Sequence, residues 1–135
     1  MNRRLMLLCG VGVLTGVLSW TGNLQSFEQQ PGDVCCPQCG NCRAACLACV
    51  AACLNESGRA ECIRLCLDCA DICGTCEAVA SRKGPMAKAL MAICAEACTK
   101  CAAECEKHRE DPACKRCAEA CRACAKECQQ GAKAK

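Results

Sequence analysis

Aromatic side chains are almost missing from this chain: there is no tyrosine, and the one tryptophan and one phenylalanine, Trp20 and Phe27, lie near the N-terminus. A protein without aromatics offers nucleic-acid bases no stacking surface. The lysines and arginines form no basic stripe either, so nucleic acid is excluded as a partner. Net charge is only +3, with both signs mixed along the sequence. Large apolar residues are also scarce after Val34, chiefly Leu47, Leu54, Ile63, Leu65, Leu67, Ile72, Leu90 and Ile93. At about 25 cal/mol per Å² buried, so few of them make a weak core. Nothing resembles a nucleophile–base pair or a carboxylate dyad, so the chain does not read as an enzyme.

What is present instead is cysteine, 22 residues in a chain of 135. That is well above the level that marks a disulfide scaffold or a metal protein. Alanine and cysteine must fill most of the interior, and bound metal is the natural source of further stability.

The spacing of the cysteines is regular. Cys94, Cys98, Cys101 and Cys105 are separated by four, three and four residues, and Cys114, Cys117, Cys121, Cys124 and Cys128 by three, four, three and four. Such alternation keeps one helical face toward a partner. It recurs in Cys62, Cys66, Cys69, Cys73 and Cys76 and in Cys42, Cys46, Cys49 and Cys53, with Cys39 one step earlier. Four amphipathic helices are therefore expected to turn thiols toward one axis. Glu96/Lys100, Arg64/Asp68 and Glu104/His108, each four residues apart, belong to the opposite, solvated faces.

Residues 1–22 form a separate segment. Arg3 and Arg4 precede an uncharged apolar run from Leu5 to Gly22, which reads as a signal peptide or N-terminal anchor with a loose twin-arginine character. Export to the periplasm is the expectation, with membrane attachment only through this segment. Residues 23–38 read as a linker, and Pro37 and Gly40 suggest an irregular start to the first helix.

Helices are expected over 41–54, 59–82, 85–108 and 112–129, followed by a fraying tail from Gly131. Gly84 and Pro85 mark a helix end and the next start, and Asp111 with Pro112 caps the last helix. Short loops predict an antiparallel, up-down-up-down, all-α four-helix bundle with a cysteine-lined core. Ala78, Val79, Ala80, Ala87 and Leu90 close one end; Met86 and Met91 near it read as core filler. The other end stays rich in thiols, carries His108, and reads as a mouth.

Thiols at i and i+4 lie about 5–6 Å apart at Cβ and can share a metal ion. Soft thiolates select Cu(I), Zn(II) or iron–sulfur clusters. A buried Cys₄ zinc carries a net charge of −2, and several stacked in one core would repel. Cu(I), at one per thiolate, leaves the core neutral. The run Cys36, Cys39, Cys42, Cys46 has ferredoxin spacing, but Leu47 stands where that motif has proline. Two alternatives to a Cu(I)-thiolate core remain: a disulfide-stapled helical protein and a zinc or cadmium thiolate buffer. Cys35 and Cys36, off the regular face, are the candidates for disulfides.

The stretches Cys62–Cys73, Cys94–Cys105 and Cys114–Cys128 resemble the bacterial copper storage proteins, a cysteine-rich four-helix-bundle family. The resemblance covers about residues 39–130. It implies many Cu(I) ions per chain held by thiolates, assembly into a homo-oligomer (dimer or tetramer), and a mouth lined by histidine or methionine, which His108 fits.

Overall fold

The computed structural model describes residues 36–135. Four helices occupy nearly all of them: α1 Pro37–Cys53, α2 Ala60–Ser81, α3 Ala87–Cys105 and α4 Pro112–Lys133, with a single 3-10 turn, Glu106–His108, after α3. No strand occurs among the described residues. Helices adjacent in sequence pack together and α1 also packs on α4, which closes the up-down-up-down ring. The expected four-helix bundle is thus the observed one.

Local chemistry accounts for the helix ends. Asp111 caps α4, its Oδ1 accepting from the backbone N–H of Ala113 at 2.7 Å and of Cys114 at 3.5 Å, with Pro112 at the first helical position. At the end of α2 the backbone N–H of Gly84 donates to Val79 O at 3.0 Å and that of Lys83 to Ala80 O at 2.9 Å. This is the Schellman closure. Its left-handed residue is Lys83, at φ 55°, and not Gly84. Glycine is needed at 84 because a Cβ there would stand 2.9 Å from Val79 Cγ1.

Three of the boundaries that differ from expectation have an evident cause. Helix α1 starts at Pro37 and runs through Gly40, where the sequence suggested an irregular approach. Proline suits the first helical position, and burial of Cys39 and Cys42 outweighs the roughly 1 kcal/mol that glycine costs in a helix. Helix α3 starts at Ala87, because Pro85 and Met86 are spent on the turn. Helix α4 continues to Lys133, since Gly131 packs against Met91 instead of fraying.

Cysteine, alanine and Met91 make up the core; no charged or polar oxygen- or nitrogen-bearing side chain is buried among the described residues. Leu47, Leu54, Leu67 and Ile93 lie on the outside, while Ile63, Ile72, Val79 and Leu90 pack partly against the core. Of the two methionines read as filler, Met91 is buried and Met86 is 60% exposed. On the surface Lys100 reaches Glu96 at 2.6 Å as expected, whereas Arg64 turns back to Glu61 at 3.6 Å.

Candidate metal centre

Every cysteine that the spacing selected is buried: Cys39, Cys42, Cys46, Cys49 and Cys53 from α1, Cys62, Cys66, Cys69, Cys73 and Cys76 from α2, Cys94, Cys98, Cys101 and Cys105 from α3, and Cys114, Cys117, Cys121, Cys124 and Cys128 from α4. Helical phase alone sends them inward, because steps of three and four return to one face. Packing then decides which sulfurs meet.

At mid-bundle Cys42 Sγ lies 3.8 Å from Cys69, 3.8 Å from Cys98 and 3.4 Å from Cys121, one thiol from each helix. One turn along, Cys46 stands 3.9 Å from Cys101 and 3.6 Å from Cys117, and Cys66 stands 3.6 Å from Cys101. Toward the start of α1, Cys73 is 3.6 Å from Cys94, and Cys39 is 3.8 Å from Cys94 and 3.7 Å from Cys128. Cys76 joins Cys39, Cys94 and Cys128 in a cluster whose sulfurs all lie within 4.8 Å of one another. Toward the other end Cys114 is 3.5 Å from Cys49 and 3.6 Å from Cys53, and Cys62 is 3.8 Å from Cys105.

Pairs within one helix, such as Cys42/Cys46 and Cys117/Cys121 at 4.0 Å and Cys94/Cys98 at 3.9 Å, fall at the wide end of the same range. The shortest contacts cross between helices, and the i,i+4 pairs join them, as where Cys42 and Cys46 share a cluster with Cys69 and Cys121. Diagonal helices, which barely touch by backbone, meet through sulfur: Cys42 with Cys98 and Cys66 with Cys117, both at 3.8 Å. A metal about 2.3 Å from each sulfur fits between thiols so spaced without moving a helix.

The array is chemically uniform. No cation is buried with it among the described residues, so without metal its sulfurs must stay protonated. Burial pushes the Cys62 thiol up to about 12 and the Cys114 thiol up to about 11. Metal can occupy such sites only by displacing those protons. Divalent ions on four thiolates would leave uncompensated negative charge in a low-dielectric interior, whereas one monovalent ion per thiolate leaves none.

All twenty cysteines of the described residues are free, and the closest pair, Cys36 and Cys128, stands 3.2 Å apart. The disulfide-stapled reading is not favoured. Cys36 is also a correction: expected off the array, it is 1% exposed and inside it. Cys35 lies outside the described residues.

At the thiol-rich end His108 sits on the 3-10 turn, with Nε2 buried, without a hydrogen-bond partner, and 3.7 Å from Glu104 Oε1. A residue that sequence reasoning missed lies at the same end. Arg59, at the N-cap of α2, sends Nη1 to 3.6 Å from Cys114 Sγ and Nη2 to 3.4 Å from Glu110 Oε1. One signal was available, since a cation at a helix N-terminus opposes the helix dipole and calls for another partner.

The family profile described as "Copper storage protein" matches residues 28–133. The chain belongs to the copper storage protein family. A curated relative from Bacillus subtilis, the "Uncharacterized cysteine-rich protein YhjQ", is 38% identical over 86 residues, covering 62% of this chain and 80% of that one. Among solved structures, the apo copper storage protein 3 of Bacillus subtilis is 36% identical, with a TM-score of 0.69 over 76% of this chain and 99% of that one. A cytosolic copper storage protein from Streptomyces lividans, in a structure described as copper loading with five coppers, is 37% identical. Its TM-score is 0.71 over 76% of this chain and 92% of that one.

Membership in this family corrects one expectation. Export to the periplasm rested on Arg3, Arg4 and the apolar run to Gly22, yet the Streptomyces relative is a cytosolic protein. The segment that carried the expectation lies outside the described residues. Among the described residues no helix is long and apolar enough to cross a membrane.

Proposed function

We propose that this chain stores copper, taking up many Cu(I) ions on the thiolates from Cys39 to Cys128, with His108 as a ligand at the mouth. The observation that carries the reading is the continuous column of free, buried sulfur in which neighbours across helices stand about 4 Å apart or less. Each Cu(I) replaces one thiol proton, so the core begins and ends neutral. Storage of this kind involves no turnover, in keeping with the family. Zinc or cadmium would need roughly four thiolates per ion and would leave the column strongly anionic.

The setting taken over from the Streptomyces relative is the cytosol, where thiols stay reduced and ready for metal. Assembly into a dimer or tetramer is part of the reading, supported by Leu47, Leu54, Leu67 and Ile93 on the outer faces. Light scattering that returned a monomer mass at micromolar concentration would remove that part.

The deciding experiment is an anaerobic titration of the reduced full chain with Cu(I) against a coloured chelator. The expected result is that the protein withholds on the order of 20 ions per chain before the chelator colours. Saturation at about five would point to Cys₄ sites and a divalent buffer.

A further inference from the structure

Cys36 is the one described cysteine outside a helix. It precedes Pro37, with φ −109° and ψ 79°, because the residue before a proline is sterically driven out of the helical region. Its side chain nonetheless turns into the bundle and is 1% exposed. Two contacts hold it there. Its carbonyl accepts from the backbone N–H of Cys39 at 2.9 Å, and the N–H of Gln38 donates to Glu127 Oε2 at 3.2 Å, tying the start of α1 to the end of α4.

That placement completes a cluster. Cys36 Sγ is 3.2 Å from Cys128, Cys39 is 3.7 Å from Cys128 and from Cys124, and Cys124 is 4.0 Å from Cys128. All four sulfurs lie within 4.8 Å of one another and all four residues are buried. The cluster stands at the end opposite Arg59 and His108, which the sequence reading had closed with alanine, valine and leucine. Ala80, Ala87 and Met91 do pack there, but sulfur continues beside them to the first described residue.

We propose that Cys36 is a metal ligand, forming with Cys39, Cys124 and Cys128 a terminal Cu(I) site at the start of α1. The proposal rests on the copper storage reading and adds to it a ligand that lies outside the helical repeat. The site takes a soft monovalent ion, since a thiolate cluster with no buried cation beside it gains least negative charge that way. Each ion bound displaces a thiol proton to solvent, with no change of oxidation state. Cys36 stands one residue before α1, so its backbone is set by Pro37 and by the bond from Cys39 instead of by the helical ladder. The other three sulfurs are fixed by helical hydrogen bonds.

The test is a crystal structure of the reduced full chain loaded with Cu(I), with copper positions taken from anomalous scattering. A copper peak at about 2.3 Å from Cys36 Sγ is the expected result. Copper on Cys39, Cys124 and Cys128 with the Cys36 sulfur left unbound overturns the proposal while leaving storage intact. A chain that holds no copper anywhere sinks the storage reading itself. In solution, Cys36→Ser should lower the Cu(I) capacity with helix content unchanged, as Cys39→Ser should. Capacity equal to that of the unsubstituted chain counts against the proposal.

Discussion

Arg59 Nη1 lies 3.6 Å from Cys114 Sγ, so a guanidinium from the start of α2 rests on the first thiol of α4. Desolvation lowers the Arg59 cation, but Cys114 and the acidic groups around it outweigh that and hold the guanidinium above its ordinary value, so Arg59 favours a Cys114 thiolate once its proton leaves. Replacing Arg59 with methionine, which keeps the apolar cover and removes the charge, should slow the first phase of Cu(I) uptake near pH 7. Final capacity should not change. Stopped-flow uptake at several pH values checks this, and an unaltered rate at pH 7 would show the contact to be structural only.

The apo bundle should weaken at alkaline pH. Cys62 and Cys114 have folded values of about 12 and about 11 against an ordinary 9.0. Raised values mean the folded state holds its protons longer, so this contribution is complete below pH 9. It is lost as pH climbs through 11 to 12. The Cu(I)-loaded chain has no such protons to lose and should keep its melting temperature over the same window. Thermal melts of both forms between pH 8 and 12 make the comparison.

Asp111→Ala removes the side-chain acceptor from the N–H groups of Ala113 and Cys114. A stability loss of about 1 kcal/mol is expected, or roughly 4–8 °C in the apo melting temperature. The Cu(I) capacity should be retained. Asp111→Asn, which can still cap, should recover most of the loss.

Alanine normally gains about 1 kcal/mol over glycine inside a helix. At Gly131 the sign should reverse, because a Cβ there would meet Met91 Sδ at 2.5 Å and Met91 is packed at 3% exposure. Gly131→Ala should destabilise by about 1 kcal/mol net, an overpacking cost of about 2 kcal/mol set against the propensity gain. In the Met91→Ala background the same change should become neutral or favourable. A double-mutant cycle of denaturation midpoints reads this coupling directly.

Much of the site was legible because its cause is local. A cysteine every third or fourth residue must return to one helical face, so the burial of Cys42 through Cys128 needed no knowledge of partners. The Asp111 cap was legible for the same reason, acceptor and donors being two and three residues apart. Cys36 was not, since its inward turn depends on Pro37 and on Glu127 far along the chain. The left-handed residue at the end of α2 was also misplaced. Any residue can occupy that position at a cost, and Val79 required the glycine one step later.

By itself, then, the amino-acid sequence determined four helices, a thiol face on each, and soft-metal chemistry, because periodicity and side-chain identity are properties of neighbouring residues. Tertiary structure alone decided which sulfurs share a layer, that Cys36 joins them, and that Arg59 covers Cys114 across 55 positions of sequence. Those contacts follow from how four helices settle against one another. That register is set by packing among side chains remote in the chain, such as Met91 seated on Gly131.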